Sequence, residues 1–335
     1  MGSPSTAITR LDLSISYAEF ALAAARKGYI GLQVMPAIGV DIEAADFAKL
    51  AVAELTSNVE TTERQPKATY SRDSFQWTTD SYAVQEHGVE EVVDDATIER
   101  YGDILRAEVI HTQRAIDRVL RRLEYDIADL AFDSTTTFSS YNTAASTAWT
   151  TRSTATPVED IDDAIESVIG QCGMRPNALV LSDYALTEMT RTAQIQDLLK
   201  YSGQDDPKML RAISGLKDLF DLDYVLVGKG NYNSAIRGAT ASFSRFWDAT
   251  KAGVYCVNND GMQGDLESPT PNVGRTIFST SGNAAVPGVG DGEDSLIVEE
   301  YREEARRGGV IRARNKRQVK VIHAAAGHVI TGVTA

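Results

Sequence analysis

Residues 94–132 read DDATIERYGDILRAEVIHTQRAIDRVLRRLEYDIADLAF, and no other stretch of the chain constrains the fold as tightly. Ile98, Tyr101, Leu105, Val109, Ile116, Val119, Leu123, Ile127 and Leu130 recur at mostly three- and four-residue steps, with Thr112 filling the one gap. That is a single helical face. Asp94 and Asp95 stand where a side chain caps a helix and where negative charge suits its positive end. The spacing predicts one helix over about 95–132, a rod of roughly 57 Å at 1.5 Å per residue. A coiled coil would need stricter heptads, and a bundle would need further helices of matching length. The opposite face carries Arg114, Arg118 and Arg122 at four-residue spacing, with Arg106 and Arg121 beside them. Like charges so stacked repel unless acids lie nearby. The strip is either a solvated face or a docking face for an acidic segment of a neighbouring subunit.

Upstream, residues 1–58 read as short helical pieces broken by Gly28, Gly31, Pro36 and Gly39, a weakly packed arm anchored later by Leu50, Val52 and Leu55. From Lys67 to Val93, Tyr70, Phe75, Trp77, Tyr82, Val84 and Val89 stand among polar residues. This mixed alternation predicts a long two-stranded loop, marginal alone because two strands cannot bury both faces. Downstream, residues 133–157 hold 14 Ser and Thr, yet Phe138, Tyr141 and Trp149 argue against a plain linker. Thr156-Pro157-Val158-Glu159 has the cap, first-turn proline and reciprocal acid of a helix start.

Strands are expected at Ala178–Leu181, Tyr224–Val227, Val254–Val257 and Arg275–Phe278, alternating with helices that bury Ile161, Ile165 and Val168, then Leu186 to Leu198, then Leu210 to Phe220. This is a mixed α/β core. Two late strands, Val310–Arg314 and Val319–His323, flank a turn at Asn315-Lys316, and Ala324 to Gly332 adds an apolar end.

The 335 residues carry 47 acids against 33 bases, a net charge of −14, which argues against a surface devoted to nucleic acid. No apolar run is long enough for a membrane span and no export signal opens the chain, so a cytoplasmic protein is expected. Cys172 and Cys256 are too few for a disulfide framework and read as small buried hydrophobes. Four histidines, His87, His111, His323 and His328, make no metal-ligand pattern with them. Gly228-Lys229-Gly230 lacks the rest of any phosphate-binding loop and reads as a turn. Ser182 lacks the glycines of a nucleophile elbow and reads as a helix cap. Asp162-Asp163 and Asp205-Asp206 read as solvated acids. No catalytic residue, metal or cofactor is expected.

The order of these features, a loose arm, a strand-rich loop, one long helix, a mixed α/β core and late strands, resembles the major capsid proteins of tailed bacteriophages with the HK97 fold, in particular the phage lambda-like group. Ser244-Arg245-Phe246-Trp247-Asp248 before the strand at Val254 resembles that family's aromatic segment. The ending from Glu299-Glu300-Tyr301 through Val310-Ile311-Arg312, Val319-Lys320-Val321 and Ala326-Gly327-His328-Val329-Ile330 resembles its finish. The likeness runs over roughly residues 30–335, carried by order more than by any motif.

The resemblance implies an α+β fold with an N-terminal arm (1–58), an extended β-hairpin loop (59–93), a peripheral domain with the spine helix (94–155), a mixed α/β axial domain (156–296), peripheral return strands (297–323) and an axial C-terminal segment (324–335). It implies hexamers and pentamers in an icosahedral shell around double-stranded DNA bound without sequence preference, a virion capsid assembled in the host cytoplasm. A portal protein and a decoration protein are further candidate partners, and no membrane is involved. No long charged coiled-coil block precedes the loop, so a separate scaffolding protein and use of essentially the full chain are expected. Candidate intersubunit contacts are Lys67, Tyr70, Phe75, Trp77 and Tyr82 in the loop, with Arg114, Arg118 and Arg122 on the helix. Some members cross-link a loop lysine to a neighbour's asparagine; Lys67 lies at the loop's entry with no matched acceptor, so a non-covalent shell is expected. An encapsulin-like compartment around a cargo enzyme and an α/β enzyme without a recognisable motif stay open as alternatives.

Overall fold

A computed structural model describes residues 8–9, 28–52, 77–96, 104–201, 213–236, 238–258, 270–279 and 296–334, with the isolated positions 63, 69, 99 and 266. In chain order the amino-terminal elements are β1 (Ile8–Thr9), α1 (Gly31–Val34), β2 (Ala37–Val40), β3 (Ala44–Leu50), β4 (Trp77–Ala83) and β5 (Gln85–Asp94). Then come the long helix α2 (Ile104–Ala131), β6 (Asn142–Ala144), α3 (Pro157–Cys172), β7 (Ala178–Ser182), α4 (Asp183–Met189), α5 (Ala193–Tyr201) and α6 (Ile213–Phe220). The rest is strand: β8 (Tyr224–Gly228), β9 (Asn231–Asn233), β10 (Phe243–Arg245), β11 (Lys251–Tyr255), β12 (Gly274–Ser279), β13 (Ile297–Glu303), β14 (Gly308–Val321) and β15 (Gly327–Thr331). No helix among the described residues is long and apolar enough to cross a membrane.

Of the predicted stripe the long helix buries Ile116, Val119, Leu123 and Ile127, with Thr112, Ala115 and Ala131 beside them, while Val109 and Leu130 are partly buried and Ile98, Tyr101 and Leu105 lie outside the residues whose side chains are described. The helix's end agrees with expectation. Asp94 closes β5, Asp95, Ala96 and Glu99 are helical, and the helix is described without a break over the 28 residues from Ile104 to Ala131; residues 97–98 and 100–103 lie outside the described residues. At its other end the last carbonyls, which have no partner within a helix, are met from β11. The Tyr255 hydroxyl donates to Ala131 O at 2.5 Å and Lys251 Nζ to Phe132 O at 2.8 Å.

Six strands form one sheet in the order β1-β13-β14-β12-β2, with β5 on the other edge of β14. The expected turn at Asn315-Lys316 does not exist. Fourteen residues run straight through it, pairing with β5 along one edge and with β13 and then β12 along the other. Asn315 and Arg317 occupy inward positions of the alternation beside Ile311 and Ala313. They stay inward because α2 offers polar partners: the Arg317 guanidinium, 1% exposed, donates to Val119 O, Asn315 Oδ1 and Asp126. Outward positions carry an ion-pair ladder in which Arg312 joins Glu90 and Arg314 joins Glu299, each at 2.6 Å. The Arg314 hydrogen bond is the main force holding the Glu299 carboxyl below the usual glutamate range.

The two strands expected between Lys67 and Val93 exist but do not pair with each other. Trp77–Ala83 pairs antiparallel with Ala44–Leu50, and Gln85–Asp94 joins the six-stranded sheet. The long loop is therefore a hairpin whose first strand lies upstream of the predicted segment. Residues 37–40 and 44–50 are accordingly strand, not helix, and the arm is not loosely packed after Gly28. Ile30, Val34 and Met35 are core, and β2 lies parallel to β12. The arm anchor missed in the sequence is Phe47, buried against Tyr82 with ring centroids 6.4 Å apart.

The second sheet, β6-β15-β11-β7-β8, carries three of the four strands expected for the mixed core at slightly shifted bounds, while the fourth, β12, lies in the six-stranded sheet between β14 and β2. Trp149, Ile161, Ile165, Met189 and Phe220 pack on one face of the second sheet. The helix α3 starts at Pro157 as predicted, yet Thr156 gives no side-chain cap; its hydroxyl lies 3.1 Å from that of Ser146, so the reciprocal capping box is not made. Asp160 instead accepts from Ser146 N and Trp149 Nε1, explaining why Trp149 is buried in a Ser/Thr-rich stretch.

The two sheets and α2 meet at a buried carboxylate. Glu124 accepts from the backbone N–H of Ile30 at 3.0 Å, that of Gly31 at 2.9 Å and the Trp247 indole N–H at 2.7 Å. Burial pushes its carboxyl above the usual range while the three donors oppose that shift. Gly31 is there because nothing larger fits: a Cβ would stand 2.6 Å from Glu124 Oε2 and 2.9 Å from Ile127 Cδ1. Gly31→Ala should cost about 1–3 kcal/mol, typical of overpacking, read from the urea midpoint of the purified chain. Unchanged stability would show that this contact yields freely.

Candidate assembly surfaces

Among the described residues no group of three or more His, Cys, Asp or Glu side chains could hold a metal ion. Ser182 Oγ accepts from Ala185 N at 3.1 Å, the predicted cap. Gly228 closes β8 and Lys229-Gly230 join it to β9 without the expected turn; the glycines are there because of proximity. A Cβ at either would enter the ring of Trp247 or Phe246. Cys172 and Cys256 are free and buried beside Val168 and Ala326. Their mutual contact lowers the Cys172 thiol to about 7 and, with burial, raises the Cys256 thiol far above the usual range.

The helix strip is open on one side and paired on the other. Arg114 and Arg118, 62% and 58% exposed, reach Glu91 of β5 at 3.9 and 3.2 Å, and His111 lies 3.7 Å from the same carboxylate. Arg122 pairs with Asp126 at 2.7 Å, while Arg121 pairs with Asp117. The acids that relieve the stacked charge thus belong to the same chain. Sequence spacing could not show this, because Glu91 faces the strip only once β5 lies along α2.

The loop candidates divide. Lys67, Tyr70 and Phe75 lie outside the described residues. Trp77 opens β4, opposite Leu50, with 69% of its side chain exposed. Tyr82 is buried within its own subunit in a cluster with Phe47, Ile277 and Ile322, so its ring serves the fold. Lys320 ties the hairpin to the large sheet by donating to Asp80 at 2.5 Å and to the carbonyl of Ser81.

Where the chain leaves α2, six donors converge on one carboxylate. The backbone N–H and hydroxyl of Thr135, Thr136 and Thr137 all donate to Asp133. Burial works against its charge, but these donors prevail and hold the carboxyl far below the usual range. Beside this elbow lies a cavity of about 430 Å³ lined by Asp129, Leu130, Phe132, Asp133, Asp248 and Lys251 among others. A cavity of about 320 Å³ lies between Arg121, Arg122, Tyr125, Tyr232 and Phe246, and one of about 260 Å³ is lined by Asp183, Arg191 and Lys229 with neighbours from α4.

A surface missed in the sequence is the short β9–β10 hairpin. Ile236 at its turn is 85% exposed and Phe243 in β10 is 76% exposed. Its strands are three residues each, too short to give a periodic signal.

Neither a family model nor a curated protein sequence matches the chain. Among solved structures, a phage-related protein of Bordetella bronchiseptica RB50 superposes with a TM-score of 0.70 at 18% identity, covering 98% of this chain and 99% of that one. The mature capsid of bacteriophage PhiM1 gives 0.52 at 10% identity over 88% of this chain and 84% of that one. The capsid of Myoviridae phage XM1 gives 0.50 at 11% identity over 91% and 92%. What is shared at such identities is the fold: several helices with open sheets, in keeping with an HK97-like architecture.

Exposed ion pairs are individually worth about 0.2–1 kcal/mol and are screened by salt. Arg114→Gln with Arg118→Gln should therefore cost the unassembled subunit at most about 2 kcal/mol, a loss that fades in molar salt. A larger, salt-independent loss in urea unfolding would mean that the strip acts through packing instead.

Proposed function

We propose that the chain is a major capsid protein of the phage lambda-like group, assembling as hexamers and pentamers into an icosahedral shell around double-stranded DNA. The observation that carries this reading is likeness of fold over nearly the whole chain, at a TM-score of 0.70 to a phage-related protein and 0.50–0.52 to two phage capsid chains.

Physical features of the subunit support it. The β3–β4 hairpin has only partial cover from its own chain and ends on an exposed tryptophan, so a neighbour would complete it. On this reading the extended loop runs from β3 to β4, with Lys67, Tyr70, Phe75 and Trp77 as contacts, and the arginine strip meets a neighbour's acids in addition to Glu91. The net charge of −14 suits a container that must not clamp its genome, because polyanion repulsion keeps packaged DNA mobile. A separate scaffolding protein and a portal would act at assembly, in the host cytoplasm.

Negative-stain microscopy of the recombinant chain, expressed alone and with a cognate scaffold, tests the reading. Closed particles tens of nanometres across are expected with the scaffold. A chain that stays monomeric in both preparations would overturn it, and particles enclosing a protein cargo instead of DNA would point to a compartment of the encapsulin kind.

A further inference from the structure

The most exposed apolar side chains of the described residues stand on the most weakly covered hairpin. From Asn231 to Ser244 nearly every described residue is exposed, and Ile236 and Phe243 project with 85% and 76% of their surface in water. Isolated exposed hydrophobes need no explanation, but two on one projecting element do.

The element is nevertheless well ordered by its own bonds. Asn233 Oδ1 accepts from the N–H of Ala235 and of Ser242, and Ser234 N donates to Ser242 O at 2.8 Å. At its foot Tyr232 stacks on Phe246 with centroids 5.3 Å apart, and Arg245 lies over the Tyr184 ring. A hairpin held in one shape before contact loses little freedom on binding.

Its charge is also unlike that of the chain around it. Residues 228–247, GKGNYNSAIRGATASFSRFW, contain Lys229, Arg237 and Arg245 and no acid, in a protein with 47 acids. An anionic receiving surface complements it. Of the cavities described above, one carries Arg121 and Arg122 and another Arg191 and Lys229 with Asp183, so neither presents an excess of acid. The third, at the carboxyl end of α2, sets Asp129, Asp133 and Asp248 against a single Lys251, with Leu130 and Phe132 supplying apolar wall.

The hairpin cannot fill that cavity on its own chain. Phe246, just after β10, lines the cavity, so the two share a base, while the turn stands off it by several residues at about 3.3 Å each. A contact between different patches on two copies is head-to-tail, and such contacts form rings where the rotation closes and open filaments where it does not.

We propose that the β9–β10 hairpin of one copy seats Ile236 and Phe243 in the aspartate-lined cavity at the end of α2 of the next copy, linking copies head to tail. This deepens the shell reading and rests on it for the ring.

The test uses the full chain carrying Ile236→Cys with Asp129→Cys, treated with a short bismaleimide. Both native cysteines are buried, so they contribute little background. A ladder of linked chains on denaturing gels is expected, with none from either single variant. Particles that form without the ladder overturn the contact and leave the shell reading standing. A ladder without particles supports the contact and sinks the shell. A chain that is monomeric and unlinked sinks both. In parallel, Ile236→Ser with Phe243→Ser should leave the subunit's melting temperature unchanged and lower assembly yield about tenfold, as expected for central anchor residues; wild-type yield would contradict the contact.

Discussion

Glu124 is the point on which the fold's long-range connections meet. A charge placed so deep is tolerated only when its acceptor sites are filled. Here the donors come from the arm and from the segment before β11, while the carboxylate itself belongs to α2. Met35 and Pro36 follow the arm's donors by a few residues, and their carbonyls accept from Thr276 of β12. The grip on Ile30 and Gly31 therefore sets the register in which β2 joins the large sheet. Trp247 continues the connection on the other side, packing edge-on against Phe132 with centroids 5.2 Å apart.

How much of this was legible depends on whether the cause is local. The stripe on α2 repeats within one element and can be read from spacing alone. Alternation marks Trp77–Ala83 and Gln85–Asp94 as strands but says nothing about partners, which lie at Ala44–Leu50 and Gly308–Arg317. Asn315-Lys316 resembles a turn until α2 supplies the polar groups that Asn315 and Arg317 need inside. Glu124 left no signal at all: an acid beside Leu123 reads as solvated unless the arm's N–H groups are known to face it. The β9–β10 hairpin left a compositional one, twenty residues without an acid, which periodicity does not register.

On the proposed reading, the same division lets such a chain serve as a building unit. Around α2 and β14 the polar groups find partners within the chain, so these parts are stable before association. The two hairpins are different. β3–β4 exposes Trp77 at its end, and β9–β10 exposes Ile236 and Phe243. Both are held in shape by their own hydrogen bonds but bury few apolar side chains, and neighbours can supply that cover. Rigid centre and incomplete margins together suit a subunit whose final stability is collective.

Hydrogen exchange measured by mass spectrometry on unassembled subunit and on purified particles tests that division directly. Amides of 116–131 and 308–321 should be protected in both states, whereas those of 44–50, 77–83 and 231–245 should gain protection only in particles. Equal exchange of the hairpins in the two states would contradict the claim that they are completed by neighbouring copies.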